Sequence, residues 1–333
     1  MAGNALLEPD LVGKRQDLSD MIYIADRKTT PGIASIKKGE PLSVMLYDYI
    51  VKSYGTRKRE SPPDGKDVNA FDMQSPKVVL TTRAEEFRRA PMVGEIAEAI
   101  SQAGGVAGTK NLFNEARADQ MLEIGRDVEK ALWAATDSRP SDGVNGSQFR
   151  GLDKWISNGP FSELPIPAAA QTPANQIFTG SISTMTEDQL GALIQAKYEN
   201  TGASSDLRGF VTPIVKNRIG FFSRYQANVT GYTSGVFVTT GKLAGNTLFG
   251  PTVDIYKSDW GTFELFPVLV DFMPDAYHAF FLDMDHPRIR QLGGAKEQKD
   301  LPDLGGGPRS LIKWTLSVHP GDPRAHAKIA GSA

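Results

Sequence analysis

The sequence predicts an α+β fold, with helices and strands segregated along the chain rather than alternating. Three observations predict it. One long amphipathic pattern runs through residues 112–137. From Phe210 to Met284, and again near the C-terminus, the chain reads mostly as strands. An extended two-stranded excursion occupies residues 34–92, and an isolated hairpin of that kind is marginal in water unless it lies on something.

Residues 1–33 read as an arm. Within VGKRQDLSDMIYIADRKTTPG, the segment Asp17–Ala25 can form a short helix with Leu18, Met21 and Ile22 on one face, and Pro31-Gly32 is expected to end the arm. In residues 34–92, Leu42, Val44 and Leu46 alternate with Ser43, Met45 and Tyr47. The polar stretch KSYGTRKRESPPDGKD then forms a loop tip, and KVVLTT returns as a strand. In the 112–137 helix, Met121, Gly125, Val128 and Leu132 form the apolar stripe, widened by Ile124, Ala131 and Ala135. Asn111 is its N-cap and Pro140 lies past its end; 26 residues would span about 39 Å. A glycine inside a helix costs about 1 kcal/mol relative to alanine, so Gly125 predicts close approach of another backbone.

A second helix starts in MTEDQLGALIQAKYENTG. Thr186 and Gln189 fit a capping box, Met185 and Leu190 a hydrophobic staple, and Gly202 a stop. Leu190, Leu193, Ile194 and Tyr198 are its buried stripe. VDIYKSDWGTFELFPVLV reads as two strands around Ser258-Asp259-Trp260-Gly261, and YHAFFLDM as another. Residues 293–309 form a glycine-rich connection. In SLIKWTLSV, Ile312, Trp314, Leu316 and Val318 face one way; RAHAKIA is the last strand.

Composition narrows the function. Of 333 residues 40% are hydrophobic, enough for a substantial core, and 33 glycines with 21 prolines point to many turns. The net charge of -2 gives no reason to expect strong nucleic-acid binding. There is no cysteine, which removes disulfides, thiolate-zinc sites and thiol catalysis. No apolar run reaches the length of a membrane span, and the N-terminus lacks the apolar core of a secretory signal.

Catalytic motifs are absent or broken. A phosphate loop needs its glycines four residues apart and a hydroxyl after the lysine; Gly235…Gly241-Lys242-Leu243 has five and a leucine. Gly231-Tyr-Thr-Ser-Gly puts the serine one place late for a nucleophile elbow. Asp283, Asp285 and His286 could hold a metal by residue type, although His286 would point to the opposite strand face. None of the four histidines forms a metalloprotease pair. The basic cluster Lys52, Arg57, Lys58 and Arg59 around Tyr54 reads as a charged loop tip or a subunit contact. No catalytic, cofactor or metal site is therefore expected. Leu18, Met21, Ile22, Arg57, Lys58 and Arg59 are the candidate interface residues, because arms and ribbons bury their apolar faces only on other molecules.

Five segments in order resemble the major capsid proteins of tailed bacteriophages, with the Hong Kong-type capsid fold. They are VGKRQDLSDMIYIADRKTTP; DQMLEIGRDVEKAL followed by Gly151-Leu152-Asp153-Lys154-Trp155-Ile156; TEDQLGALIQAKYENTG; VDIYKSDWGTFELFP with LDMDHPRIRQL; and IKWTLSVHPGDPRAHAKIAG. Two stretches depart from the pattern: Tyr225 to Asn246, and glycines 305–307. The resemblance implies an N-terminal arm (1–33), an E-loop lying over an adjacent subunit (34–92), a peripheral domain (93–156) with spine helix 112–137, an axial domain (157–299) and a return to the peripheral domain (300–333). It implies a shell of pentamers and hexamers enclosing the phage genome, assembled in the host cytoplasm and carried in the virion. Portal, scaffolding and decoration proteins are the implied partners, with weak, nonspecific contact to double-stranded DNA and none to membrane. The pattern starts at residue 12, so no long N-terminal scaffolding region is expected. Two rivals remain: an encapsulin-like compartment of the same fold, and a metal-dependent hydrolase using Asp283, Asp285 and His286.

Overall fold

The computed structural model describes residues 30–333 except 55–58, 60, 62, 68–70, 72–74, 104–110, 203–205, 223–241, 244–245, 248–254, 299–300 and 303–305. In chain order the elements are α1 (Pro31–Ser35), β1 (Lys37–Lys38), β2 (Leu46–Lys52), β3 (Lys77–Arg83), β4 (Glu85–Arg89), α2 (Glu95–Gln102), α3 (Leu112–Trp133), α4 (Leu152–Trp155), β5 (Ile177–Phe178), α5 (Glu187–Thr201), β6 (Leu207–Val211) and α6 (Pro213–Phe222). There follow β7 (Lys242–Leu243), β8 (Asn246–Thr247), β9 (Ile255–Ser258), β10 (Gly261–Pro267), β11 (His278–Asp283), β12 (Arg288–Gln291), β13 (Lys296–Gln298), β14 (Leu311–His319) and β15 (Ala327–Ala330).

The chain divides into two compact units. The larger contains residues 29–88, 124–296 and 313–333. Its main sheet has six strands in the order β5-β15-β11-β6-β10-β9. β10 runs parallel to β6, β11 antiparallel to both β6 and β15, and β15 parallel to β5. β9 and β10 form the expected hairpin, with Ser258 opposite Gly261 and only Asp259-Trp260 between them. The last strand thus lies inside a sheet built from residues 177–283, which local periodicity does not reveal. A second sheet joins β1, β12 and β14, and β4 also pairs with β14.

Two apolar cores flank the main sheet. One gathers Val128, Leu132 and Trp133 of α3 with Phe149, Phe210, Phe280, Leu282 and Leu316; Trp133 stacks on Phe280 at 5.1 Å between centroids. The other gathers Met185, Leu190, Leu193 and Ile194 with Val215, Ile219, Phe263, Phe281 and Ile329. The α5 capping box forms as expected: Thr186 N–H donates to the Gln189 side chain and Gln189 N–H to Thr186 Oγ1.

Several expectations need correction. The long helix ends at Trp133, not 137. Beyond it the backbone is claimed by other partners: Gly151 N–H donates to Thr136 C=O, and the main chains of Arg139 and Gln148 bond reciprocally. A Cβ at Gly151 would overlap the Ala134 carbonyl, so that approach requires glycine. Met121 is 40% exposed, and the buried stripe is Ile124, Val128 and Leu132 together with Glu129 and Trp133. Among the described residues outside its own helix, none lies within 4 Å of a Cβ placed on Gly125, so the expected close backbone approach is not found among them. Pro31 begins a short helix, as its fixed φ permits in a first turn, and the Asp17–Ala25 segment before it lies outside the described residues. β2 starts at Leu46, and Leu42 is buried while Val44 is exposed, so the alternation expected from residue 42 is not yet strand.

The smaller unit contains residues 89–123 and 297–312 among those described. It holds α2 and the first half of α3. Its ties are polar: Ser310 N–H donates to Pro91 C=O, Val93 N–H to Pro308 C=O, and Arg117 grips Glu297 with two nitrogens.

Candidate assembly surfaces and the locks behind them

The ribbon β2–β3 is paired without interruption from Leu46 opposite Arg83 to Lys52 opposite Lys77. Its two faces differ. Tyr47, Val51, Leu80 and Thr82 are buried, and Val51 and Leu80 pack on Trp155, Ile166 and Ala170. At the root, Tyr49 stacks on His319 at 4.6 Å, and Ser317 Oγ donates to Arg83 C=O. The opposite face shows Leu46, Ile50 and Val79 at 45%, 64% and 53% exposure. Ile50 and Val79 are direct cross-strand partners, so they form one apolar spot. Lys52 and Lys77 also oppose each other, a like-charge pair that disfavours the ribbon unless an anion lies near.

Behind the ribbon, buried polar groups lock distant parts of the chain. On α3, the fully buried Glu129 carboxylate accepts from Gly32 N–H (2.8 Å), Ile33 N–H (2.9 Å) and Trp133 Nε1 (2.8 Å). Burial pushes its pKa up and these three donors oppose the rise. It pins Gly32 and Ile33, at the start of the described chain, to α3. On α4, Asp153 holds Lys328 of β15: Lys328 Nζ donates to Asp153 C=O (2.7 Å) and Oδ1 (3.0 Å). His278 Nε2 is 3.6 Å from the same Oδ1, and burial lowers the pKa of that imidazole. On α5, Lys197 lies 3.6 Å from Asp283 of β11; burial lowers the lysine's pKa against the pull of the aspartate. His326 accepts from Asp283 N–H through Nδ1 and faces Pro320 C=O with Nε2 at 2.9 Å, which fixes a neutral tautomer with the proton on Nε2. Burial takes the His326 pKa down to about 4.

In the Asp283, Asp285 and His286 arrangement, His286 Nε2 lies 3.9 Å from Asp283 Oδ2, so it does not point away from that carboxylate as strand alternation predicts, because the strand ends at Asp283. Asp283 faces the Lys197 ammonium and Asp285 is bonded to Lys37 at 2.8 Å, so both carboxylates point at cations already in the chain. Among the described residues no group of three or more metal-type side chains converges. Most of the Gly235–Leu243 stretch and the whole Gly231–Gly235 stretch lie outside the described residues. So do Leu18, Met21, Ile22, Arg57 and Lys58; of the candidate interface residues only Arg59 is described, and it is exposed. Sequence reading missed Glu129, Asp153, Lys197 and Lys328 because helical position alone places a charge without saying what covers it.

Glu85, at the ribbon root on β4, accepts from Phe149 N–H, and burial pushes its pKa up to about 7 against the pull of Arg139. A raised carboxyl pKa means that the folded chain holds a proton the unfolded chain has released. That contribution is complete below pH 4.5 and is lost as pH rises through about 7. Glu85→Gln is therefore expected to leave stability unchanged at pH 4.5 and to raise it by about 2 kcal/mol at pH 8, measured by urea unfolding. Stability curves that stay parallel between the two pH values would refute this.

Comparison with known proteins fits the geometry. A family model described as SU10 major capsid protein matches residues 4–333. By sequence, no curated protein matches. Solved structures that superpose include the capsid of cyanophage P-SCSP1u (TM-score 0.59, 9% identity, 96% of this chain and 93% of that one). The capsid asymmetric unit of cyanophage A-1(L) gives TM-score 0.60 and 13% identity over 97% and 98% of the chains. The capsid of a native GTA particle gives 0.58 and 12% over the whole of both. At such identities these likenesses establish the fold, the Hong Kong-type α+β fold of phage capsid proteins. The family match extends over nearly all of the chain: it belongs to the SU10 major capsid protein family, whose members build the shell of the phage head.

Proposed function

We propose that this chain assembles as pentamers and hexamers into an icosahedral or prolate head shell around packaged double-stranded DNA, and that assembly takes place in the host cytoplasm. The observation that carries the reading is the two-faced ribbon. One face is buried on its own chain and the other exposes Leu46, Ile50 and Val79. In a closed shell of repeated heterologous contacts, a neighbouring copy supplies the missing cover. An anion from that neighbour also relieves the opposed Lys52 and Lys77. Residues 1–33 serve as arm, 34–92 as E-loop, 93–156 as peripheral domain, 157–299 as axial domain and 300–333 as the return, with Leu18, Met21, Ile22, Arg57, Lys58 and Arg59 at subunit contacts. The net charge of -2 suits weak, nonspecific contact with DNA. Portal, scaffolding and decoration proteins complete the set of proposed partners.

The test is sedimentation velocity with negative-stain microscopy of the same fractions. Rings or shells are expected from the wild-type chain expressed with its neighbouring genes. Ile50→Asp with Val79→Asp is expected to sediment as a small species while melting within a few degrees of wild type, because both side chains are on the exposed face. A monodisperse small species from the wild-type chain would overturn the reading.

A further inference from the structure

Helix α2 is turned inside out. In an amphipathic helix of a folded protein the apolar stripe normally faces the core. Here the buried residues are Glu98 and Ser101, while Ile96 and Ile100 are 77% and 49% exposed and Met92, just ahead of the helix, is 54% exposed. The inward face is committed to polar work: Glu98 accepts from Phe113 N–H and from Gln102 Nε2, each at 3.1 Å. The helix therefore cannot simply rotate its isoleucines inward. The described part of the smaller unit also lacks an apolar core. Among its described residues the buried apolar side chains are those of Pro91 and Ile312. Eight residues make a helix too short to persist by propensity. Something apolar must lie on Met92, Ile96 and Ile100.

We infer that the occupant is the arm segment Asp17–Ala25 of this same protein, laid with Leu18, Met21 and Ile22 against Met92, Ile96 and Ile100. This rests on the proposed role of residues 1–33 as an arm. Three things favour it. Residues 1–29 lie outside the described residues and lead directly into Gly32 and Ile33, which Glu129 holds. The arm's stripe matches in kind and length: three apolar residues at helical spacing. The charges complement. Lys14-Arg15 and Arg27-Lys28 lie outside Asp17, Asp20 and Asp26 and leave residues 14–28 at net +1, whereas Glu95 and Asp119 are exposed on α2 and α3. Arg89 and Arg117 of that unit are bonded to Glu123 and Glu297.

The chain has no cysteine, so paired substitutions report contact cleanly. Met21→Cys with Ile100→Cys, in full-length protein under mild oxidation, is expected to form a disulfide at least about tenfold faster than Met21→Cys with the exposed control Val144→Cys. A closed single chain would assign the arm to its own α2 and a ladder of linked chains to a neighbour's; both support the docking. A rate equal to the control overturns it. As a second measurement, Ile96→Ser with Ile100→Ser changes only exposed positions and is expected to raise tryptic cleavage at Arg15 and Arg27 about tenfold with melting unchanged. Unchanged cleavage also overturns the docking. If shells form but both arm results are negative, only this inference fails; if no shells form, the function proposed above fails whatever the arm does.

Discussion

Asp153→Ala is expected to cost about 3–5 kcal/mol of stability, because it removes one half of a buried ion pair and leaves the other half in place. Lys328 is 6% exposed and would keep only the Asp153 main-chain oxygen as acceptor, while His278 would lose its nearest carboxylate. The pair ties α4 to the last strand of the main sheet, so its loss loosens β15 against β11 and β5. The measurement is the shift of the urea midpoint at pH 7.5. Asp153→Ala combined with Lys328→Met is expected to recover most of the loss, because the buried charge leaves with its partner. A single variant within about 1 kcal/mol of wild type would show that water reaches Lys328 and that the lock contributes little.

Glu129→Ala is the second large effect, expected at about 3 kcal/mol or more. Truncation leaves Gly32 N–H, Ile33 N–H and Trp133 Nε1 without their acceptor, and each unsatisfied buried donor costs roughly 1–3 kcal/mol, offset in part because a carboxylate no longer has to be buried. Gly32→Ala attacks the same joint sterically. Its Cβ would stand 2.5 Å from Trp133 and 2.7 Å from Glu129 and Leu132, all fully buried neighbours. Both variants are expected to expose the chain before Pro31 to protease. Deleting residues 1–28 distinguishes a joint from a mere core contact. In the deleted background Glu129→Ala should still lower the melting temperature but should no longer change assembly. An assembly defect that persists without the arm would show that Glu129 acts elsewhere.

The segments that carried the family resemblance are the ones these locks connect. TTPG meets the long helix through Gly32 and Glu129. GLDKWI meets AHAKI through Asp153 and Lys328. QAKY meets LDMD through Lys197 and Asp283, and His326 of AHAKI accepts from the backbone of Asp283. Each segment contributes a charged or polar group that would be costly to bury alone. Each is made tolerable only by a group far away in the chain.

Local chemistry by itself determined the elements whose causes are local. The α5 capping box, the β9–β10 hairpin and the apolar face of β14 follow from side chains within a few residues of each other. The ordered series of segments also marked the family and, with it, the fold. Tertiary structure alone decided the rest. It stopped α3 at Trp133, because Gly151 and Gln148 offer the following backbone better partners. It made Glu129 a buried anchor on what reads as a charged helix face, placed β15 between β5 and β11, and turned α2 with its isoleucines outward. Those outcomes depend on partners separated by as many as 175 residues, as in Lys328 and Asp153. Sequence periodicity reports only which face of an element is apolar; burial is a property of what lies against that face, and for α2 that cover is not supplied by the described chain.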